Sequence, residues 1–198
     1  MPSEEAKVKA QFARLFVVSD WSRFKRMGEF YLQRAVFLKR ADVDVAKDLQ
    51  LLARNSLKRL FIGIGTELLV KAVYLQRNFS INELEPSGQA GAPAFPFTFQ
   101  QVGGFTQAQD RTVKFDRLIP HLAAVLDSGP LPQVEAGLKV AKVFRNKEGH
   151  GVLSQQFVRS SYTAIENALS ELYLQAWSKS VSVTFSLGPN EKGVWKLS

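Results

Sequence analysis

The chain has 198 residues, 45% of them hydrophobic and fifteen of them phenylalanine, enough for one domain with a real core and too apolar for wholesale disorder. It has no cysteine, which excludes a disulfide framework and a thiolate metal site, and only two histidines, set far apart, so a zinc site is not expected. The 26 Lys and Arg against 18 Asp and Glu leave a net charge of +8, which suggests an anionic partner, nucleic acid being the commonest.

Ser3 followed by Glu4 and Glu5 predicts a helix start with acids in its first turn, running to about Val18. Met1 to Ala10 carries both signs of charge and lacks the apolar run of a signal peptide, so a cytoplasmic location is expected. Ser19 and Asp20 offer a second N-cap. Phe24, Met27, Tyr31, Ala35 and Leu38 then recur at helical spacing from Trp21 to Arg40.

Asp42 to Arg77 reads as one long helix with Leu57, Leu60, Phe61, Ile64, Leu68, Ala72 and Leu75 as its apolar stripe. Its most apolar part, Leu60 to Leu75, is interrupted by Glu67 and Lys71, so no membrane span and no membrane partner are expected. Gly63 and Gly65 sit mid-helix, where each costs about 1 kcal/mol against alanine; such glycines often admit another backbone. Glu67 and Lys71 are one turn apart. They read either as a plain i, i+4 ion pair worth a few tenths of a kcal/mol or as a partly buried polar pair facing the site on another helix.

From Asn78 to Arg111 prolines and glycines break the pattern, and an irregular insertion is expected at about residues 78–114. Within it Phe95, Phe97 and Phe99 alternate, as in a short strand, with Thr112 to Phe115 as its expected hairpin partner. Asp116 to Leu126 predicts a short helix carrying His121 at its surface or half buried. Pro132 opens the next helix, Gln133 to about Lys147, which Lys139, Lys142, Arg145 and Lys147 make basic. The last helix spans Gln155 to Ser178 on the stripe Val158, Tyr162, Ile165, Leu169, Leu172, Tyr173 and Ala176. Val181, Val183, Phe185 and Leu187 then alternate, Gly188-Pro189-Asn190 turns, and Trp195 and Leu197 alternate again: a terminal β-hairpin.

The chemistry concentrates in Arg145-Asn146-Lys147-Glu148-Gly149-His150. Arginine offers a planar fork of donors that matches phosphate oxygens, histidine moves a proton near neutral pH, and asparagine can orient either. The same residues also fit a plain helix end, with Arg145 and Lys147 solvated, Gly149 as the stop and His150 over free carbonyls. On a regular helix Arg145 and His150 point about 140° apart, while Asn146 and His150 share a face. A working site therefore needs the helix to end at Gly149, or residues from two chains.

An Arg, four residues, then His, with a polar residue after the Arg, on a late helix that follows a long helix carrying Glu67 to Ala72, resembles the HEPN superfamily of all-helical domains. The resemblance covers roughly Asp20 to Ser178 and implies an all-α, up-and-down bundle (residues 1–178) extended by the hairpin (179–198). It implies a homodimeric, metal-independent endoribonuclease without cofactor, a toxin or phage-defence effector; the alternative is a non-catalytic RNA- or protein-binding module. Arg145, Asn146 and His150 take the catalytic positions and Glu67 the acidic position of the earlier helix, with Lys71 supporting it. Lys139, Lys142 and Lys147 are the expected RNA contacts. Besides RNA and a second copy of the chain, an antitoxin or a nucleotidyltransferase is the partner class implied. Val152 stands where one subgroup carries a modified tyrosine, so that modification does not carry over.

Overall fold

The computed structural model describes residues 2–13, 21–84, 94–103, 108–149, 159–188 and 191–198. The fold is built around α3 (Gln50–Gln76), 27 residues long, in which every side chain from Leu69 to Leu75 is buried. A helix apolar all round needs neighbours on all sides. α2 (Trp21–Phe37) and α7 (Pro132–Gly149) pack on α3, and α8 (Arg159–Trp177) packs on α7. α1 (Glu4–Ala13) precedes them, and the predicted Ser19-Asp20 cap lies outside the described residues.

Three helical expectations are corrected. α3 begins at Gln50, not Asp42, because Asp42 accepts the Lys39 N–H at 2.8 Å and closes a 3-10 turn, Arg40–Asp42. Short aspartate side chains compete for backbone donors in this way and favour turns over helix. The stripe on α3 is also rotated. Leu57, Leu60, Phe61, Ile64 and Leu68 are only half buried, while Ile62, Gly63, Gly65, Thr66 and Glu67 are covered. On α2 the buried face is Gly28, Leu32, Ala35 and Val36, and Met27 is exposed.

Glycine explains both rotations. A Cβ on Gly28 would lie 2.9 Å from the Gly65 carbonyl oxygen, and one on Gly65 would lie 2.8 Å from that of Gly28. The two helices cross where neither has a side chain, and that crossing decides which flank of each turns inward.

The described part of the insertion contains regular elements. β1 (Asn82–Leu84) pairs antiparallel with β2 (Ala108–Thr112), with Asn82 opposite Thr112, and α4 (Phe99–Gly103) lies between them in sequence. The predicted strand through Phe95 and Phe97 is not there. Pro96, between the two, has no N–H to give a ladder. Both phenylalanines enter the core instead, Phe95 stacked on Tyr74 at 5.8 Å and edge-on to Phe97 at 5.5 Å and His121 at 5.3 Å. Pro120 also divides the predicted helix from Asp116 to Leu126. α5 (Phe115–Leu118), a 3-10 turn (Ile119–His121) and α6 (Leu122–Val125) take its place, since proline cannot donate in a helix interior. His121 is half buried, as expected.

The C-terminal hairpin forms as predicted, β3 (Val181–Thr184) against β4 (Val194–Leu197), with Val181 opposite Leu197. Val181, Val183 and Phe185 join the common core. Glu166 on α8 accepts the Phe185 N–H at 2.7 Å and pairs with Arg159 at 3.1 Å, while Arg159 donates to the Phe185 carbonyl at 2.7 Å. Burial raises the Glu166 carboxyl above its ordinary pKa, against the pull of these donors. Among the described residues no helix is long and apolar enough to cross a membrane.

Lys58 ties α3 to the same hairpin. It is 1% exposed, and its ammonium donates to the Ser186 carbonyl. Burial, with the Arg54 cation beside it, pushes its pKa down to about 7 from 10.5. Across that interval the unfolded chain holds a proton that the folded chain has released, so stability rises with pH there and falls as pH drops toward 7. Lys58→Met should remove this gain. Denaturant melts between about pH 7.5 and 9.5 should show a shallower pH slope for the variant than for the native chain, and equal slopes would sink the assignment.

Candidate functional site

α3 and α7 meet more closely than side chains permit. A Cβ on Gly63 would lie 2.5 Å from the backbone nitrogen of Arg145. One helical turn beyond Gly63 is Glu67, and the close approach brings its carboxylate beside the Arg145 side chain. Arg145 Nε lies 2.9 Å from Glu67 Oε2, and Lys71 Nζ lies 2.7 Å from Glu67 Oε1. Lys71 also donates to Thr112 Oγ1 at 2.8 Å, which ties the end of β2 to α3. Glu67 and Lys71 do form the i, i+4 ion pair, and the pair is buried beside another helix, at 6% and 7% exposed.

A buried carboxylate shared by two cations is held in place by geometry more than it stabilises the fold. Removing Glu67 would leave two neighbouring cations without their shared anion, while removing either cation leaves the carboxylate paired with the other. For Arg145 the consequence is orientation. Its Nε is committed to Glu67 and its Nη1 donates to Asn146 Oδ1 at 3.2 Å, while the side chain stays 48% exposed. The guanidinium is thus held by Nε and Nη1, which leaves its Nη2 end as the open edge.

The open edge lines a cavity of about 200 Å³ with Glu67, Thr112, Lys114, Asp116, Lys142 and Asn146. Lys142 lies 3.6 Å from Asp116 Oδ2 across α7 and α5. Cations from α7 and from the segment after β2 therefore converge on one small space, with the Glu67 charge already shared by Lys71. Such a space suits a phosphate group: a planar fork on one side and point charges on the other.

Of the residues singled out in the sequence, Glu67, Lys142, Arg145 and Asn146 line this cavity and Lys71 stands behind it. Lys139 is exposed and pairs with Glu135 at 3.3 Å on its own helix, and Lys147 is exposed; neither reaches the lining. Gly149 is the last residue of α7, and His150, with the course of the chain after it, lies outside the described residues. Thr112, Lys114 and Asp116 escaped the sequence reading. The insertion brings them in from a distance of some thirty residues, and no local pattern marks them. Among the described residues no group of three His, Cys, Asp or Glu is placed to hold a metal ion. No family model, curated protein or solved structure matches the chain.

Proposed function

We propose that the chain is a metal-independent endoribonuclease of the HEPN type. In this reading His150 takes the proton from a ribose 2′-OH, which attacks the adjacent phosphate, and Arg145 stabilises the charge that builds on the phosphorane oxygens. The observation that carries it is the clamp on Arg145. Glu67 and Asn146 hold the guanidinium by two of its nitrogens beside a cationic cavity of phosphate size. Preorganised donors of this kind need no rearrangement as charge develops. The reaction requires RNA, because DNA lacks the nucleophile.

The reading includes a twofold dimer. Gly63 and Gly65 are used within the chain, against α7 and α2, and do not argue for a partner. The half-covered strip of α3 does: Leu57, Leu60, Phe61, Ile64 and Leu68, with Tyr31 5.7 Å from Phe61 and with Met27 and Phe30 exposed on α2. A second copy would cover it and bring two motif helices together.

One observation favours a second reading, a non-catalytic module that binds RNA or a protein. Among the described residues lining the cavity, the only carboxylates or imidazoles able to accept a proton are Glu67 and Asp116. Incubating the purified chain with total RNA in EDTA separates the two. Cleavage to 2′,3′-cyclic phosphate and 5′-hydroxyl ends, by a species that light scattering measures as a dimer, is the expected result. Intact RNA that shifts in a gel supports the binding module instead, and cleavage that chelation stops rules out the mechanism.

A further inference from the structure

A second concavity, of about 680 Å³, opens where the end of α2, the 3-10 turn, the start of α3 and the C-terminal hairpin meet. It shares no lining residue with the motif cavity. Its size is that of a small-molecule site.

The floor is Arg54, 6% exposed. Among the described residues its hydrogen-bond partners are all neutral. Nε donates to the Leu38 carbonyl at 3.0 Å, Nη1 to Asn55 Oδ1 at 3.3 Å, and Nη2 to Ser186 Oγ at 3.3 Å and the Ser186 carbonyl at 3.5 Å. Lys58, one turn along α3, shares that carbonyl. Among the described residues neither cation takes part in an ion pair. Burial pushes the Arg54 guanidinium below its ordinary pKa, and Arg40 adds to the shift while Tyr162 opposes it.

The rim adds charge of the same sign: Lys39, Arg40 and Lys192. The lining has one carboxylate, Glu191, which already accepts the Leu187 N–H at 2.8 Å and lies 3.9 Å from Arg159. A buried guanidinium balanced only by dipoles is a poor ending for a fold and a good beginning for an anion site. The rest of the wall is apolar, and two of its side chains are left open: Phe37 is 54% exposed and Leu51 45%.

We infer that this cavity binds a small organic oxyanion, a phosphate or carboxylate carried on an apolar body. The oxyanion supplies the counter-charge that Arg54 lacks, and the body covers Phe37 and Leu51 at the mouth. The inference is independent of the ribonuclease reading, since it uses neither the motif nor its cavity.

Calorimetric titration of the full chain with phenyl phosphate and with benzoate tests it, with inorganic phosphate as the reference. At least one organic probe should bind saturably, one per chain and more tightly than inorganic phosphate; which one binds names the head group. Arg54→Met should weaken binding about tenfold or more. Because Arg54 also ties Leu38 to Ser186, Leu51→Glu is measured beside it. That position is exposed, leaves those bonds alone and sets a carboxylate against the incoming anion, so it should weaken binding to a similar degree with an unchanged melt. If Arg54→Met does not fold, Leu51→Glu decides. No saturable binding at millimolar probe, native affinity in Leu51→Glu, or loss of binding in Arg145→Ala, which lies in the other cavity, would each overturn the proposal.

Discussion

On the proposed ribonuclease reading, His150→Ala should lower RNA cleavage by about 10²–10⁴ while leaving the fold and most RNA affinity in place. The size follows from the role: a general base acts on the proton of the attacking 2′-OH and contributes little to holding the strand. Arg145→Ala should damage both, because the guanidinium meets phosphate in the ground state and more strongly in the transition state. Arg145→Lys should rescue little. Lysine has one nitrogen to serve both Glu67 and Asn146, which Arg145 meets through Nε and Nη1, and nothing left to aim at a phosphate. His121→Ala is the control and should cleave at the native rate, since His121 packs edge-on against Phe95 and does not line the motif cavity. Rates come from a labelled RNA under single-turnover conditions. A His150 variant that cuts as fast as the native chain would return the motif to a plain helix end.

The second large effect falls on stability and belongs to a single methyl group. Gly63→Ala should destabilise the chain by about 1–3 kcal/mol, although alanine is the better helix former by about 1 kcal/mol. The added Cβ would sit 2.5 Å from the Cβ and N of Arg145 and 2.7 Å from its Cα. Those are atoms of a helix backbone, so no side-chain rotation relieves the contact and α3 and α7 must move apart. The same movement pulls Arg145 off Glu67, so cleavage should fall with stability. Gly129→Ala makes the comparison, since a Cβ there meets nothing within 4 Å. Denaturant melts of the two variants, with cleavage rates measured well below their midpoints, check the prediction. A Gly63→Ala chain with native stability and rate would mean that the close approach does not position the site.

That close approach also separates what one dimension could tell from what it could not. The sequence by itself determined the class of each major element. Period 3.6 marks α2, α7 and α8, a long apolar run free of proline marks α3, and period 2 marks the terminal hairpin, because these periods are properties of the local backbone. The stripe of α8 was legible residue by residue, from Tyr162 to Ala176, because one flank of that helix is covered and the other is exposed. Arg145 and Asn146 were singled out by residue type, and both line the cavity.

The tertiary structure decided which way α2 and α3 face. α3 has apolar residues on nearly every side, so its pattern carries no phase; the glycine crossings at Gly28 with Gly65 and at Gly63 with Arg145 supply it. For the same reason, only the folded chain could show that Glu67 meets Arg145, or that Thr112, Lys114 and Asp116 complete the cavity. Contacts between residues far apart in sequence depend on where helices cross, and a crossing is set by the shapes of two surfaces at once. Arg54 and Lys58 were invisible for a related reason. On the sequence they are two charges in a long helix, and only the hairpin packed over them makes them buried cations.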